Sequence, residues 1–184
     1  MIFSKTSIPG LLIIQPNVLD DDRGYFMESY KYSEFVSNGL PTDFLQQNQS
    51  KSSIGVLRGL HYQLQYGQGK LAWVSHGKVM DVAVDIRKDS PTFGQYESVI
   101  LDDESHKRIY IPKGFAHGYY VLSEKAIFQY MCTELYHPED EYGILWNDPD
   151  ICIKWPDGDK LVSDRDNKWL NLNEIDSKNL PTFK

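Results

Sequence analysis

Three side chains able to handle protons and negative charge lie close together in the first half of the chain. Arg58 and His61 belong to the run VLRGLHYQ (residues 56–63), and Lys70 follows the glycine at position 69. A guanidinium suits phosphate oxygens, an imidazole accepts a proton near neutral pH, and an ammonium can hold an oxyanion. The grouping predicts proton abstraction next to a carbonyl on a phosphorylated substrate.

The spacing of Arg58 and His61 does not establish whether both side chains serve one site. They lie an odd number of positions apart, so strict strand alternation puts them on opposite faces. Gly59, between them, permits a β-bulge that could re-aim one side chain. A lone histidine among apolar strand residues is also commonly a satisfied core residue. On the residues alone, a core histidine is the commoner interpretation of His61, and a catalytic histidine stays open.

Three further segments contain candidate functional groups. In IPKGFAHG (residues 111–118), Pro-x-Gly-x-x-His indicates a tight turn entering a strand near His117, as at the mouth of small cupin-type barrels. Tyr130 lies on a predicted strand, where a core aromatic is the commoner interpretation. The turn from Ser163 to Asp166 is charged and, taken alone, indicates exposed surface.

The sequence lacks the usual signatures of metal and nucleophile chemistry. No His-x-His, His-x-x-x-His, His-Glu-x-x-His, Gly-x-Ser-x-Gly or glycine-rich phosphate-loop pattern occurs. We therefore expect no metal and favour acid–base chemistry. Cys132 and Cys152 form no Cys-x-x-Cys pair and are predicted to be buried free thiols.

Composition limits the class of protein. A chain of 184 residues fits one domain, and 12 Tyr with 4 Trp suit the core of a β-sandwich. The net charge of −7 argues against nucleic-acid binding. The apolar run Leu11 to Ile14 is too short for a signal peptide or a membrane span, so we expect a cytoplasmic protein without membrane contact.

Short strand-like segments separated by turn residues recur along the chain. A spacing of roughly 8–12 residues predicts an antiparallel sandwich or barrel. A helix is expected over Tyr30 to Asn38, closed by Gly39, and the polar tail beyond Ser163 is expected to be partly helical. The predicted strands are 10–15, 24–30, 43–50, 56–63, 70–77, 78–87, 94–101, 107–111, 118–122 and 126–135.

The strand from Lys78 to Arg87 alternates regularly. Its period places Val82, Val84 and Ile86 on one face and Asp81, Asp85 and Arg87 on the other. The simpler interpretation, which the pattern favours, is a half-buried strand with a solvated charged face. The alternative is that the charged face lines a polar interior, with Asp81 near Lys70 or His61.

Together these motifs resemble one family, the dTDP-4-dehydrorhamnose 3,5-epimerases, from about Ile8 to Asp166. An arginine at position 165 replaces the lysine typical of the family, and Trp73 stands where many relatives carry a polar or basic residue. The matching motifs are DRGYFMES (22–29), FLQQN (44–48), VLRGLHYQ, Gly69-Lys70, DVAVDIRKDSPTFGQ (81–95), IPKGFAHG, Tyr136-x-Pro138, GILWNDP (143–149) and Val162-Ser163-x-Arg165-Asp166.

The resemblance implies an all-β, cupin-like jelly-roll sandwich or barrel, with a few short helices mostly at the C-terminal end. It also implies epimerisation at carbons 3 and 5 of a nucleotide-linked 4-keto-6-deoxyhexose without a cofactor. In that mechanism His61 is the general base, Asp166 orients it, and Tyr130 is the general acid. Lys70 holds the oxyanion at O4, with His117 as a helper.

The resemblance further implies a binding set and a homodimer. Arg58 and Arg23 match positions that contact the diphosphate. The positions that match the nucleotide and sugar pocket are Phe26, Glu28, Gln46, Asn48 and Tyr136. Because N-terminal strands exchange between subunits in this family, Arg23, Phe26 and Glu28 are expected to serve the neighbour's pocket.

Three alternatives stay open. An epimerase acting at only one carbon, or on a related nucleotide sugar, would need the same proton-transfer residues. A non-catalytic sugar-nucleotide-binding cupin would not require His61, Tyr130, Lys70 and Asp166 together. A metal-dependent cupin oxygenase is disfavoured by the missing His-x-His pattern.

Overall fold

Most strands belong to two antiparallel sheets in the computed structural model, which describes residues 1–183. With strands numbered along the chain, the larger sheet contains, from edge to edge, β1 (Ile2–Lys5), β2 (Leu12–Gln15), β10 (Arg108–Ile111), β7 (Lys70–His76), β12 (Lys125–Cys132) and β5 (Gln46–Ser53). The smaller sheet contains β13 (Glu141–Gly143), β6 (Leu57–Gln63), β11 (Phe115–Val121), β8 (Lys78–Asp85) and β9 (Tyr96–Asp102). A separate hairpin joins β3 (Val18–Asp21) to β4 (Gly24–Met27). The all-β, cupin-like sandwich predicted from the sequence is confirmed.

The main core lies between the two sheets. Side chains such as Val74 and Phe128 from the six-stranded sheet pack with Val79 and Tyr119 from the five-stranded one. Full burial of each large apolar side chain contributes about 1.5–3 kcal/mol. This shared layer fixes the distance between the sheets, and therefore between functional groups carried by opposite sheets.

The outer faces of both sheets are partly covered as well. The C-terminal segment, through Leu172 and Leu180, packs on the outer face of β8. The single α-helix within residues 1–183, α1 (Tyr32–Ser37), buries Phe35 against Ile14 and Leu71 of the six-stranded sheet.

The favoured interpretation of the strand starting at Lys78 was wrong. The alternation itself is present, but Asp81 and Asp85 are fully buried rather than solvated. Val82 and Val84 face the C-terminal segment, so the aspartates point into the interior of the sandwich. The sequence of a strand that is buried on both faces can look like that of a half-buried strand. This happens when the polar side chains on its inner face form hydrogen bonds inside the protein.

The helical predictions hold with shorter bounds. The expected helix over 30–38 is α1, and Gly39 follows it at a φ of 70°, a left-handed conformation that favours glycine. The tail forms three single-turn 3₁₀-helices, at Asp166–Lys168, Leu172–Glu174 and Ser177–Asn179. A fourth 3₁₀-helix lies at Pro138–Asp140.

The prediction for the cysteines was half wrong. Cys132 is buried, but Cys152 is exposed, in a loop where its φ is 53°. In residues 1–183, no group of three His, Cys, Asp or Glu side chains is arranged to hold a metal ion. Nor does that part of the chain include a helix long and apolar enough to cross a membrane.

Candidate active site

A cavity of about 600 Å³ opens between the two sheets. Its walls include His61 from β6 of the five-stranded sheet and Tyr130 from β12 of the six-stranded sheet. The imidazole and the phenol therefore belong to opposite walls of one cavity. The remaining lining residues are Asn48, Gln49, Ser50, Val56, Leu57, Arg58, Lys70, His117, Gly118, Tyr119, Phe128, Leu161, Ser163, Arg165 and Asp166.

A bulge in β6 brings Arg58 and His61 to the same cavity. His61 is opposite His117, whereas Arg58 is opposite Tyr119, so three steps on β6 match two on β11. Gly59 makes the bulge possible: its φ is 119°, and a Cβ there would lie 2.6 Å from the Cα of Gly118. The extra residue reverses the alternation that would otherwise separate the two side chains.

His61 is paired with a carboxylate from the far end of the chain. Its Nε2 lies 2.7 Å from Oδ1 of Asp166, and the other carboxylate oxygen accepts a hydrogen bond from the Gly59 N–H at 3.2 Å. Burial alone raises the pKa of Asp166, but the hydrogen bond and charge of His61, the Gly59 N–H and Arg165 outweigh it and hold the pKa below its ordinary value. Asp166 is therefore an ionised carboxylate that fixes the orientation of the imidazole ring.

Trp169 supports the segment that carries Asp166. Its indole lies against Gly143, the β13 residue paired with His61, so closely that a Cβ at position 143 would overlap the ring. The indole also meets the His61 ring edge to face, with centroids 6.4 Å apart. The Leu145 N–H donates a hydrogen bond to the Leu170 carbonyl at 2.9 Å. This bond joins the segment after Gly143 to the segment after Trp169. The tail is thereby fixed on the strand next to the base.

Lys70 and Tyr130 lie together in the interior of the cavity. Lys70 Nζ is 5.9 Å from the centre of the Tyr130 ring. Burial lowers the pKa of the Lys70 ammonium, partly offset by the negative charges of Asp81 and Glu141. Burial raises the pKa of Tyr130 to about 12, so the phenol keeps its proton at neutral pH. This part of the cavity thus places a cation, Lys70, beside a neutral proton donor, Tyr130.

His117 is held by the buried carboxylate of Asp81. Its Nε2 lies 2.8 Å from Oδ2 of Asp81, and both residues are buried. The second oxygen of Asp81 has no hydrogen-bond partner in residues 1–183. Asp81 therefore lies inside the sandwich, as the alternative interpretation of its strand expected, with His117 as its hydrogen-bond partner.

Four of the predicted binding residues lie in or beside the cavity. Arg58 lines it, and its Nε donates to Ser52 Oγ at 3.2 Å. Asn48 also lines it and accepts a hydrogen bond of 2.9 Å from Gln46. Gln46 accepts in turn from the Tyr136 N–H at 2.9 Å, and the Tyr136 ring is exposed.

Three predicted binding residues are not brought to this cavity within the chain. Arg23 belongs to the β3–β4 hairpin and is ion-paired with Asp21. Phe26 is 66% exposed, and Glu28 pairs with Lys31 at 3.1 Å. Arg23 and Phe26 face outward on the separate hairpin, and Glu28 is exposed just after it.

Sequence reasoning missed Glu141 as a member of the site. Its carboxylate accepts from Tyr136 Oη at 2.8 Å and pairs with Arg165, while its other oxygen lies 3.9 Å from His61 Nδ1. In the acidic run Glu139-Asp140-Glu141, nothing distinguishes it from solvated charge. The Glu141 side chain points inward because β13 pairs with β6. No local pattern in the sequence predicts that pairing.

Comparisons with known proteins identify one family for this chain. The family model of dTDP-4-dehydrorhamnose 3,5-epimerase matches residues 5–174. The dTDP-4-dehydrorhamnose 3,5-epimerase of Methanothermobacter thermautotrophicus is 50% identical over 175 residues, covering 94% of this chain and 95% of the relative.

Solved structures show the same likeness. The dTDP-6-deoxy-D-glucose-3,5-epimerase of Legionella pneumophila, solved with dTDP-4-keto-L-rhamnose, aligns with a TM-score of 0.96 at 48% identity, covering 100% of this chain and 98% of that one. ChmJ, a 3'-monoepimerase from Streptomyces bikiniensis solved with dTDP-quinovose, aligns with a TM-score of 0.91 at 34% identity, covering 96% and 91%. The chain belongs to the dTDP-4-dehydrorhamnose 3,5-epimerase family of isomerases.

Proposed function

We propose that this protein inverts carbons 3 and 5 of dTDP-4-dehydro-6-deoxy-glucose to give dTDP-4-dehydro-rhamnose, a step of deoxysugar biosynthesis. One observation supports the proposal above the others. His61, oriented by Asp166, and Tyr130, a protonated phenol, line one cavity from opposite sheets. Inversion requires a base on one face of the sugar and an acid on the other.

The chemistry follows from the ketone at carbon 4. The hydrogens on carbons 3 and 5 are both α to it, so loss of either as a proton leaves an enolate. His61 takes the proton and becomes an imidazolium, which the Asp166 carboxylate stabilises. Tyr130 then returns a proton from the opposite face, and solvent restores both residues. Each cycle inverts one carbon with no net change in protons or electrons, so no cofactor is needed.

Lys70 is proposed to stabilise the developing charge at O4. A buried ammonium interacts strongly with an oxyanion because little water screens it. An interaction of this kind is generally worth about 10²–10³ in rate. His117, fixed by Asp81, lies on the strand beside His61 and is proposed to assist at the same oxygen.

The nucleotide is proposed to enter along the exposed side of the cavity. Arg58 suits the diphosphate, and Asn48, Gln46 and Tyr136 offer amide groups and an aromatic ring for the base and sugar. Arg23, Phe26 and Glu28 are proposed to enter the cavity of a second subunit in a homodimer, which would explain why they face outward here. We also propose a cytoplasmic location.

Proton exchange in deuterated water tests the reaction. With dTDP-4-keto-6-deoxyglucose as substrate, NMR should show deuterium at both carbons 3 and 5, and a coupled reductase should yield the rhamnose product. His61→Ala should lose exchange at both positions while retaining affinity for dTDP. Exchange at full rate in His61→Ala would remove His61 as the base.

Inversion at carbon 3 alone is the second candidate, favoured by the likeness to ChmJ, a protein named a 3'-monoepimerase. The same experiment separates the two. Deuterium and inversion confined to carbon 3 would replace the double epimerisation with the single one. The proton-transfer residues would keep their roles.

A further inference from the structure

The last residue of the VLRGLHYQ run, Gln63, has a buried side-chain amide with three hydrogen bonds. It is 5% exposed at the end of β6, two positions after His61. Its Nε2 donates to the Tyr66 carbonyl at 2.7 Å and to the Leu135 carbonyl at 3.1 Å. Its Oε1 accepts from the His137 N–H at 2.9 Å. Both N–H donors and the oxygen are used, so only one orientation of the amide satisfies all three partners.

Two of these bonds hold the backbone on either side of Tyr136, because Leu135 and His137 are its chain neighbours. A second glutamine, Gln46, accepts from the Tyr136 N–H at 2.9 Å. Within residues 1–183, neither Leu135 nor Tyr136 forms a backbone–backbone hydrogen bond. The two glutamine side chains therefore hold the part of this segment that no sheet ladder holds.

Asp140 makes a matching contact in the opposite direction. It is 7% exposed, and its carboxylate accepts from the Gln65 N–H at 3.1 Å and the Tyr66 N–H at 2.8 Å. The Tyr66 ring stacks on the His137 imidazole, with centroids 3.8 Å apart and an interplanar angle of 14°. The loop after β6 and the segment around Tyr136 thus hold each other from both sides.

We propose that Gln63 is a positioning residue that holds the Tyr136 ring beside the cavity in fixed register with His61, which rests on the proposed binding of the nucleotide by Tyr136. The ring is 45% exposed, so packing alone does not fix it. Its far end is held by Glu141, which accepts from Tyr136 Oη at 2.8 Å. A ring that is ordered before the ligand arrives loses less freedom on binding, so the benefit falls on affinity.

Calorimetric titration with dTDP tests the proposal, because it measures nucleotide affinity without turnover. Gln63→Met removes the amide from a chain of similar length without adding charge. Gln63→Glu keeps the shape, but an ionised carboxylate cannot donate to the Tyr66 and Leu135 carbonyls. Each variant should raise the Kd for dTDP about 10-fold, because the lost hydrogen bonds free the segment around Tyr136. Unchanged affinity in both variants would overturn the proposal.

Gln68→Ala is the matched control. The Gln68 amide also donates to a carbonyl of this segment, that of Glu134 at 3.0 Å, but it does not flank Tyr136. This variant should leave the Kd for dTDP unchanged. An equal rise of the Kd in Gln68→Ala would show that any loosening of the loop weakens binding, and would remove the specific role of Gln63.

A double-variant cycle with Tyr136 separates positioning from general loss of structure. Tyr136→Ala removes the ring and should raise the Kd for dTDP about 5–100-fold, as expected for a lost contact between an aromatic ring and a base. If Gln63 acts through this ring, Gln63→Met/Tyr136→Ala should bind dTDP no more weakly than Tyr136→Ala alone. Losses that multiply in the double variant would contradict the proposal.

Steady-state kinetics with dTDP-4-keto-6-deoxyglucose gives a second readout. Gln63→Met should raise KM about as much as it raises the Kd for dTDP. Its kcat should stay near that of the wild type, because the bond between His61 and Asp166 does not involve the amide. A fall in kcat with unchanged KM would instead assign Gln63 a structural role on β6 and overturn the positioning of Tyr136.

The outcomes also separate the role of Gln63 from the proposed reaction. A wild type that binds dTDP without exchanging α-protons contradicts the reaction, while the cycle with Tyr136 still decides whether Gln63 positions the ring. A wild type that epimerises the substrate but whose Gln63 variants keep full affinity for dTDP leaves the reaction standing and removes only Gln63.

Discussion

His61 and Asp166 are 105 positions apart in the chain, yet His61 Nε2 and Asp166 Oδ1 lie 2.7 Å from each other. The contact joins the bulged strand β6 to the first 3₁₀-helix of the tail. Because the carboxylate also accepts from the Gly59 N–H, it is fixed relative to both the ring and the bulge. This pair is the centre of the proposed site.

Replacing Asp166 by Asn should lower kcat by about 10²–10⁴-fold, because an amide cannot stabilise the imidazolium. The pKa of Asp166 is depressed, so the carboxylate stays ionised until the pH falls well into the acid range. Steady-state kinetics from pH 5 to 9 measures the effect. Asp164→Asn alters an exposed neighbour and should leave kcat unchanged; an equal loss in both variants would argue against a specific pair.

Replacing Gly143 by Ala should displace the Trp169 indole and shift the segment that carries Asp166. A displacement of about 1 Å costs up to about 10²-fold in rate, so kcat should fall while KM changes little. The double variant Gly143→Ala/Trp169→Ala removes the overlap and should be no slower than Trp169→Ala alone. If the two substitutions instead lower kcat independently, so that their fold-losses multiply in the double variant, Gly143 does not act through the indole.

Replacing Tyr130 by Phe should separate exchange from inversion. His61 can still remove the α-proton and return solvent deuterium to the same face, but the opposite face lacks a donor. NMR in deuterated water should therefore show label entering the substrate with its configuration retained. Equal loss of exchange and inversion would contradict a separate acid.

Replacing Lys70 by Met should lower kcat by about 10²–10³-fold through loss of the oxyanion partner. Burial lowers the pKa of the wild-type ammonium below its ordinary 10.5, so it loses its proton earlier on the alkaline side. Wild-type kcat should therefore fall with rising pH below the range of an exposed lysine. That alkaline limb should be absent in Lys70→Met, and its persistence would assign it to another group.

Replacing Arg58 by Ala should raise KM about 10–100-fold with a smaller change in kcat, as expected for a charged hydrogen bond to phosphate. Arg58→Lys keeps the charge without the planar fork and should give an intermediate KM. Initial-rate kinetics measures KM and kcat for each variant. An unchanged KM in the alanine variant would exclude Arg58 from the diphosphate site.

The strands of the sandwich were predictable where alternation and turns are strong. The runs starting at Lys70 and Lys78 and the turn before β11 matched closely, because Gly and Pro separate well-formed apolar segments. The short strands β1, β3 and β13 were missed: each has only three or four residues, and pairing with distant partners decides whether they form. The segment predicted at 43–50 forms instead as Gln46–Ser53 because it pairs in register with β12.

The site was predictable only in part. The residue types identified His61, Lys70 and Arg58. Strict strand alternation would place Arg58 and His61 on opposite faces, and the bulge at Gly59 brings both side chains to one cavity. The roles of Tyr130 and Asp166 came from resemblance, since a phenol on a strand and a charged turn have commoner explanations. Glu141 was missed because its direction depends on strand pairing, and Trp169 because indole packing on a glycine leaves no local pattern.

The late position of Asp166 along the chain has a consequence for protein synthesis and turnover. The strands that line the cavity precede it, so a ribosome-bound or proteolytically clipped polypeptide ending before residue 166 would still contain Arg58, Lys70 and Tyr130. Such a fragment would lack the partner of its base, together with Trp169 and the cover that Leu172 and Leu180 give to β8. Only a chain completed through its tail should therefore turn over substrate, so synthesis of the last residues is what switches the enzyme on.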